Sequence, residues 1–571
     1  MKKIKGIGLS SGIAIGKVWV WESDFLKVPE YTVARNMVEH EISRFNLAVK
    51  ETEKEIISLQ EELRKNAGNQ YADIFSFHLS LLNDDFLKEK ARDIIINGRV
   101  NAETAVKRVL ENVIREFNKS SDDLLKDRRR DLSDVIEKII SNMKKSSSPA
   151  ARRTRDEIVV ARDLAPSQTV SLDKKHIIGF VTEVGSITSH TAILAKALEI
   201  PAIVASDKIT EILRDGDLII IDAEAGVIIQ NPAPSVIEKY RLRQEKILSR
   251  KKELSALKNL SGETRDGKRV CLQSNIELPE EIETSKKYGA EGIGLYRTEY
   301  LYLNRKDLPC EEEQFLAYRK VCDRMGGKPI IIRTLDIGGD KFLSDFEYPR
   351  EMNPFLGWRG IRFCLERTDI FKTQLRAILR AAVSGNLRIM FPMVSTVEEV
   401  LMAKEILSEA RDSLRKDNIP HCEKIETGIM IEIPSAALIS DKLAGEVNFF
   451  SIGSNDLVQY TLAVDRGNAR ISHLYQPCHP SVLKLIKMTI DNGIRAGIWT
   501  GICGEMASIP EIACLLVGLG AEELSMAPVA IPSVKEKLRR MEGQELKNLA
   551  AEAMLFNNHE EVLGFLQKKI R

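Results

Sequence analysis

In the second half of the sequence, strand-like apolar runs are followed at once by residues able to do polar chemistry. Arginines, carboxylates, an asparagine and a cysteine hold these positions: Arg297, Arg333, Asp336, Glu432, Asn455, Asp456, Arg466, Cys503 and Glu505. Guanidinium groups bind phosphate or carboxylate through two parallel hydrogen bonds. Glu432 and Asp456 offer the hard oxygen ligands that Mg²⁺ prefers. The set therefore predicts a site for a small anion that carries phosphate and carboxylate.

Taken singly, most of these residues have an ordinary structural explanation. A lone arginine at a strand end usually forms a surface ion pair, and a lone Cys503 would be a core cysteine. Glu432 is harder to explain in this way, because it stands between Ile431 and Ile433 and a buried carboxylate needs a partner. The joint pattern favours a site over separate structural roles.

A second candidate centre lies at residues 185–195 (GSITSHTAILA), where a Gly/Ser turn follows a strand-like run and His190 opens a helix. The free N–H groups and positive partial charge of a helix N-terminus favour an incoming phosphate. The imidazole of His190 can act as the nucleophile. The alternative is that His190 only caps the turn, and this segment alone does not decide between them.

The elements that must position the first set alternate between strand and helix. Strand-like runs recur at 270–275, 292–296, 329–335, 387–393, 427–433, 449–452, 498–503 and 523–526, and each but the last is followed by a helical pattern. Eight such units predict a (β/α)₈ barrel, in which functional residues sit at the carboxyl ends of the strands. One final helix is expected within 533–568.

The first half of the chain has a different pattern of predicted strands and helices. Short strands are predicted within 4–20 and at 158–161, 176–182, 202–204 and 218–222, and a helical bundle of about 120 residues interrupts them. A charged helical segment at 235–258 then fits a linker. We therefore predict an α/β domain from 1–20 and 150–232, an inserted helical domain at 21–149, a linker at 233–260 and the barrel at 261–571.

Composition excludes several classes of protein. Lys and Arg total 84 against 83 Asp and Glu, and the resulting net charge of +1 indicates neither a nucleic-acid-binding protein nor one that binds a membrane surface. No apolar run approaches the roughly 20 residues needed to span a bilayer, and the N-terminus leads into no apolar signal core. The eight cysteines contain no Cys-x-x-Cys pair, which argues against a zinc site. A cytoplasmic enzyme is expected.

Several motifs, in order along essentially the whole chain, resemble enzyme I of the bacterial phosphoenolpyruvate-dependent phosphotransferase system. They are TSHTAILA at 188–195, GLYRTE at 294–299, RTLDIGGDK at 333–341, NPFLGWR at 353–359, GSNDL at 453–457, AVDRGN at 463–468 and CGE at 503–505. The barrel motifs are long and specific, whereas the N-terminal helical region matches mainly in pattern.

The resemblance implies roles for individual residues. His190 would be the phosphorylated residue and Thr169 the hydroxyl that hydrogen-bonds it. Arg297, Arg333, Asn455, Asp456 and Arg466 would bind phosphoenolpyruvate, with Glu432 and Asp456 on Mg²⁺ and Cys503 as the proton donor to the enolate carbon. The phosphate would pass from His190 to the histidine phosphocarrier protein HPr, which the inserted helical domain would bind. The resemblance also implies a homodimer formed through the barrel.

The sequence departs from the family pattern in two places. Ser186 and Ile187 stand where the family usually has glycine and arginine before the Thr-Ser-His motif, so a basic residue near the phosphohistidine is missing. Residues 134–137 (DVIE) replace a segment that often has glycine and more arginine. These departures affect the expected rate of phosphate transfer and the identity and affinity of the carrier more than they affect the expected reaction.

Two rival functions remain at this point. Pyruvate, phosphate dikinase and phosphoenolpyruvate synthase share the histidine domain and barrel, but they need a large ATP-binding region. Residues 1–150 supply a helical bundle instead, and the chain has no Gly-x-x-x-x-Gly-Lys-Ser/Thr loop. The other rival is a regulatory protein that senses phosphoenolpyruvate without transferring phosphate. Acid-labile phosphate on the protein would separate that reading from the enzyme.

Overall fold

The computed structural model describes residues 1–10, 12–21, 28–66, 75, 78–83, 85–117, 123–144, 156–164, 176–184, 195, 200–205, 208–302, 307–338, 351–466, 468 and 470–570. Within these ranges the chain forms two compact units, Met1–Arg250 and Lys251–Arg571. The chain is therefore a multidomain α/β protein, as the sequence predicted.

The first unit contains a closed mixed sheet. Its strands are β1 (Lys2–Gly8), β2 (Ile13–Trp21), β3 (Glu157–Ala161), β4 (Ile177–Thr182), β5 (Ala202–Ala205), β6 (Leu218–Asp222) and β7 (Val227–Gln230). They close in the order β1-β5-β4-β3-β2-β6-β7, with β2 to β5 parallel and the other pairs antiparallel. The predicted strands are confirmed. The sequence prediction, whose last run in this region ended at residue 222, did not include β7, a strand of only four residues that follows β6 after a tight turn.

A helical bundle lies between β2 and β3 along the chain. Its α-helices are α1 (Val38–Asn66), α2 (Asp85–Gly98), α3 (Ala102–Phe117) and α4 (Asp123–Lys144). Apolar residues recurring every three or four positions, such as Ile42, Phe45, Val49 and Ile56 of α1, are buried in the core of this bundle. The insertion predicted from the sequence is thus a set of helices with a core of their own.

Two further helices are described after β5, namely α5 (Ile209–Ile212) and α6 (Pro234–Ala256), and α6 continues past Arg250. The side chains of Val236, Ile237 and Tyr240 on α6 pack against the apolar cluster of Ile13, Ile220 and Ile229. The charged helix predicted as a linker therefore covers part of the closed sheet over its first turns.

Within the described residues of the second unit, eight parallel strands close into a barrel. They are β8 (Cys271–Ile276), β9 (Ile293–Arg297), β10 (Ile330–Arg333), β11 (Leu387–Phe391), β12 (Glu426–Ile431), β13 (Phe449–Gly453), β14 (Trp499–Cys503) and β15 (Glu523–Met526), and β15 pairs with β8. All eight predicted strands are present, and each begins within two residues of its predicted first residue. The predicted (β/α)₈ barrel is confirmed.

Helices pack around the barrel. They are α7 (Ile282–Lys287), α8 (Glu311–Met325), α9 (Ile361–Glu366), α10 (Thr368–Ala381), α11 (Val397–Lys416), α12 (Pro434–Leu438), α13 (Ser440–Leu443), α14 (Ser454–Leu462), α15 (Pro480–Ala496), α16 (Glu505–Ser508), α17 (Pro510–Leu519), α18 (Ile531–Arg540), α19 (Gly543–Ala553) and α20 (His559–Lys569). The single final helix expected within 533–568 is wrong. Three helices occupy that region, since new N-termini begin after Glu542 and after Asn558, whose side chain accepts the Glu561 N–H.

The barrel has two separate apolar cores. The larger one lies between strands and helices, and the smaller one fills the barrel interior with Leu295, Ile331, Met390, Met430 and Phe449. Within this smaller core the ring of Phe449 stacks on that of Trp499, with the ring centres 4.5 Å apart and the planes nearly parallel. This packing closes the interior at one end and leaves the carboxyl ends of the strands to polar residues.

Candidate active site at the barrel mouth

A cavity of about 230 Å³ opens at the carboxyl ends of the barrel strands. It is lined by Glu277, Leu295, Arg297, Glu299, Tyr300, Arg333, Asp336, Arg359, Met430, Glu432, Gly453, Asn455, Asp456, Arg466, Cys503 and Gly504. Eight of the nine residues selected from the sequence are among them: Arg297, Arg333, Asp336, Glu432, Asn455, Asp456, Arg466 and Cys503. The structure therefore brings all but one of the barrel candidates into one cavity, although different strand ends and loops supply them. The exception is Glu505, which begins α16 and does not line the cavity.

Arg333 is the most enclosed cation in this cavity. Its Nη2 donates to Glu299 Oε1 at 2.7 Å, and its Nη1 lies 3.0 Å from Asp336 Oδ2. Burial alone lowers the pKa of Arg333, but the carboxylates of Glu299 and Asp336 outweigh burial and hold the pKa above its ordinary value. The guanidinium is thus a fixed positive charge in the wall of the cavity.

Arg359 is a cavity residue that reasoning from strand ends missed. Its Nε and Nη2 donate to the two oxygens of Asp336 at 3.1 and 2.8 Å, and its Nη1 donates to Tyr460 Oη at 3.3 Å. Arg359 lies in the long connection between β10 and β11, so the strand-end rule gave it no signal. Its place in the NPFLGWR motif was the signal available. Gly338 allows the approach, because a Cβ there would lie 2.2 Å from Arg359 Cβ.

Glu432 and Asp456 are the carboxylates with the chemistry of a cation site. Glu432 is buried, and its Oε1 accepts the Met393 N–H at 2.6 Å. Burial first, and then the charges of Asp456 and Asp336, raise the pKa of Glu432 to about 8. Asp456 lies 3.6 Å from Arg359 Nη2 and 3.7 Å from Arg466 Nη2.

Mg²⁺ fits this donor set. A carboxylate whose pKa is raised by neighbouring carboxylates, as that of Glu432 is, gains from a divalent cation beside it, and Mg²⁺ commonly takes one or two protein carboxylates with substrate oxygens and water. No group of three or more His, Cys, Asp or Glu side chains arranged for a metal occurs among the described residues. A cation here would therefore depend on oxygens from its substrate. Gly453 keeps the place open, since a Cβ there would lie 2.9 Å from Glu432 Oε2.

Arg297 and Arg466 stand at the rim of the cavity. Arg297 Nη1 donates to Glu277 Oε1 at 2.6 Å, and about a third of its side chain is exposed. Arg466 is also partly exposed, with its Nη2 3.7 Å from Asp456 Oδ1. Both guanidinium groups are less enclosed than that of Arg333, so they have room to turn toward a bound anion.

Cys503 and Asn455 meet at the end of β14. Burial raises the pKa of the Cys503 thiol to about 11, so the sulfur is protonated at neutral pH. The next residue, Gly504, has φ +116°, and a Cβ there would lie 2.4 Å from Ser454 Oγ and 2.8 Å from Asn455 Oδ1. Only glycine suits this position, which explains the Cys-Gly-Glu sequence. The same Asn455 Oδ1 accepts the Glu505 N–H at 3.0 Å.

The second predicted centre lies outside the described residues. His190 and Thr169, and the departures at Ser186 and Ile187, all fall there. The other departure, residues 134–137, lies in α4, where Asp134, Val135 and Ile136 are buried in the bundle. Those three side chains therefore cannot form a carrier-binding surface without a change in the bundle.

Comparison with known proteins gives the family. Three models of phosphoenolpyruvate (PEP)-utilising enzymes match: the N-terminal domain at residues 5–128, the mobile domain at 154–226 and the PEP-binding domain at 251–543. Phosphoenolpyruvate-protein phosphotransferases from Geobacillus stearothermophilus and Priestia megaterium are 41% and 42% identical over 568 residues, which is 99% of this chain and 98% and 99% of theirs. The Bacillus subtilis (strain 168) protein of that name is 41% identical over the full length of both chains.

The chain belongs to the phosphoenolpyruvate-protein phosphotransferase family. The PEP-binding model of this family covers the barrel strands and the cavity at their carboxyl ends. The mobile-domain model covers the segment that contains His190. No helix in the described part of the chain is long and apolar enough to cross a membrane.

Proposed function

We propose that this enzyme transfers the phosphoryl group of phosphoenolpyruvate to its own His190, releases pyruvate, and passes the phosphate to the carrier HPr. That reaction is the first step of a phosphotransferase system for sugar uptake or regulation. The observation that carries the proposal is the cavity of about 230 Å³, where guanidinium groups, neighbouring carboxylates and a buried thiol face one small volume. Each of these groups has a role in binding phosphoenolpyruvate or in its reaction.

The arginines bind and orient the substrate. Arg333, fixed by Glu299 and Asp336, holds the anion at the cavity wall, while Arg297 and Arg466 close on it from the rim. Asn455 supplies an uncharged polar contact beside them. Arg359 adds a further positive charge next to Asp456. Positioning and charge neutralisation are most of what phosphoryl transfer requires of a protein.

Glu432 and Asp456 are the proposed Mg²⁺ ligands. When bound, the cation supplies neutralisation of phosphate charge and polarisation of the transferring group. The two carboxylates would hold the cation, and Arg359 and Arg466, which lie 3.6 and 3.7 Å from Asp456, would add positive charge for the phosphate.

Cys503 and His190 complete the chemistry. The His190 imidazole attacks phosphorus, a nitrogen–phosphorus bond forms, and the bond from phosphorus to the enol oxygen breaks. The enolate of pyruvate that remains takes the Cys503 proton on its methylene carbon. Thr169 orients the imidazole through its hydroxyl. In the second step the phosphoryl group moves from His190 to the histidine of HPr.

We also propose the arrangement of the chain for this cycle. Residues 1–20 and 150–232 form the phosphohistidine domain, 21–149 the carrier-binding insert, 233–260 the linker and 261–571 the substrate and dimerisation domain. The division into two compact units after Arg250 supports a separation of carrier chemistry from substrate chemistry. A homodimer formed through the barrel and a cytoplasmic location belong to the same proposal.

Replacement of the nucleophile tests the proposal. His190→Ala should abolish acid-labile ³²P on the protein after incubation with labelled phosphoenolpyruvate and Mg²⁺. Phosphoenolpyruvate affinity should stay nearly unchanged, because the arginines that bind it are in the barrel. The neighbouring Ser189→Ala is a suitable control that retains the imidazole. Acid-labile label remaining on the His190 variant would refute the assignment of the nucleophile.

A further inference from the structure

A set of buried, hydrogen-bonded side chains connects helix α10 to the two strand ends that carry Arg297 and Arg333. Its centre is Gln374 of α10, which is fully buried and does not line the cavity. A buried amide costs free energy unless its donors and its acceptor all find partners. The partners that Gln374 has found therefore indicate what the residue does.

The hydrogen bonds of Gln374 leave its amide one orientation. Its Oε1 accepts the Leu335 N–H at 2.9 Å, and a backbone N–H can only donate. Its Nε2 then has two hydrogens to donate, and they go to Thr298 Oγ1 at 3.0 Å and to Tyr318 Oη at 3.2 Å. All three partners are buried. A side chain that could only accept, or only donate, could not replace this amide.

Thr298 carries the connection on to Arg333. Its hydroxyl receives a hydrogen from Gln374, so its own hydrogen is available, and it donates that hydrogen to the Arg333 carbonyl at 3.0 Å. Arg297 and Arg333 are the last residues paired between β9 and β10. Beyond that pair, the side chains of Gln374 and Thr298 tie the residues that follow β9 to those that follow β10.

The two strand ends joined in this way hold four groups of the cavity. Arg297 and Glu299 come from the end of β9, and Arg333 and Asp336 come from the end of β10. Glu299 Oε1 accepts from Arg333 Nη2 at 2.7 Å and from the Asp336 N–H at 3.2 Å, both across the two strand ends. The Arg333 guanidinium therefore keeps its direction only while the two strand ends keep their spacing.

Resting on the proposed function, we propose that Gln374 and Thr298 are positioning residues for the phosphoenolpyruvate site. Neither side chain lines the cavity. They act through the backbone at Arg333 and Leu335, which holds the guanidinium in the direction that meets the anion. A charge that is in place before the substrate arrives does not have to be ordered on binding, and binding is stronger for that reason.

The other branch of the network contains no residue of the cavity lining. Tyr318 Oη and Tyr302 Oη both donate to Gln314 Oε1, each at 3.1 Å. Gln314 Nε2 in turn donates to the Pro309 carbonyl at 3.1 Å. Tyr302→Phe would remove one buried hydroxyl from this branch and leave Gln314 Oε1 with the Tyr318 donor. It is the matched control, because it weakens the network without changing the bonds that reach the strand ends.

A purely structural role predicts a different kinetic result from a positioning role. If these hydrogen bonds only stabilised the barrel, their loss would reduce the fraction of folded enzyme, so kcat would fall and KM would not change. Loss of placement in a binding group weakens the binding of substrate and transition state alike, so KM for phosphoenolpyruvate rises while kcat changes little. The measurement is the initial rate of pyruvate release by the full chain with Mg²⁺ and excess HPr, together with calorimetry of each variant.

We expect Gln374→Met, which keeps the approximate length of the side chain and removes its amide, to raise KM for phosphoenolpyruvate about tenfold or more with kcat near that of wild type. Thr298→Val should give the same split, and it is the second variant if Gln374→Met does not fold. Thr298→Ser retains the hydroxyl and should restore the wild-type KM. Tyr302→Phe should lower the melting temperature and leave KM unchanged.

Two outcomes would contradict the positioning role: a KM that is unchanged in both Gln374→Met and Thr298→Val, or a KM that rises equally in Tyr302→Phe. Failure of the proposed function is distinguishable, since the wild-type enzyme itself would then release no pyruvate from phosphoenolpyruvate.

Discussion

The two closed sheets of this protein use their interiors in opposite ways. Every strand of the mixed sheet in the first unit contributes to one aliphatic cluster, with residues such as Val18, Ile158, Ile203 and Ile221. The barrel of the second unit limits its inner apolar cluster to a few side chains and fills its mouth with charged groups. In a parallel barrel all carboxyl strand ends meet at one face, whereas a mixed sheet divides them between two faces. The parallel arrangement is what concentrates functional groups.

The largest effect expected from this comparison comes from cutting the chain between the units. Neither piece should label itself, because phosphoryl transfer from substrate needs both the barrel cavity and His190. A piece comprising 1–250 should exchange phosphate with phosphorylated HPr and ignore phosphoenolpyruvate. A piece comprising 251–571 should bind phosphoenolpyruvate with Mg²⁺ and form the dimer. Labelling with either donor, phosphoenolpyruvate binding by the barrel piece, and the mass of each piece in solution test these expectations.

The place of the cut matters. A piece that ended at residue 235 would remove most of α6 and expose Ile13, Ile220 and Ile229, which α6 covers. Cutting after residue 250 keeps that packing. Self-labelling of the barrel piece, or carrier exchange confined to it, would overturn the division of functions.

A smaller loss of activity is expected from Cys503→Ala. If the thiol protonates the enolate, pyruvate formation should slow by about 10²–10⁴-fold while substrate and Mg²⁺ still bind. Cys514→Ala is the matched control, because Cys514 is equally buried but belongs to the outer core on α17. Unchanged steady-state turnover in the Cys503 variant would show that the cysteine only packs in the core and does not donate the proton.

The barrel and its cavity were largely predictable from the sequence, for a physical reason. Strands buried on both faces read as continuous apolar runs, so each carboxyl end shows where polar residues begin. That rule located Arg333, Glu432 and Cys503. It could not locate Arg359, which a long loop brings back to Asp336.

Other features depended on tertiary structure. The buried position of the Glu523 carboxyl has no signature in the sequence, since the carboxyl occupies space left by Gly294 and Gly501 on different strands. The end of the chain was read as one helix because its apolar spacing continues through 533–568. The breaks depend on local capping by Glu542 and Asn558, which periodicity does not record.

The smallest effect concerns a buried charge in the first unit. Asp222 ends β6 with its side chain almost fully buried, donates nothing, and accepts from Arg243 of α6 and from the Ala225 N–H at 3.1 Å. Unlike the carboxylates of the barrel mouth, it joins a helix to a sheet. Asp222→Asn should therefore lower the stability of the first unit, by roughly 1–3 kcal/mol, and leave turnover below the unfolding temperature unchanged.

Calorimetry of the 1–250 piece and pyruvate release by the full chain measure the two sides of this prediction. The control is Glu224→Gln, which removes an exposed carboxylate 3.4 Å from the same Arg243 and should change stability little, because exposed ion pairs contribute little. If the Asp222→Asn variant loses turnover at high temperature, a purely structural role requires that turnover and the folded state both return on cooling. A loss of turnover that persists at low temperature would place Asp222 in the reaction and remove the contrast between the two sheets.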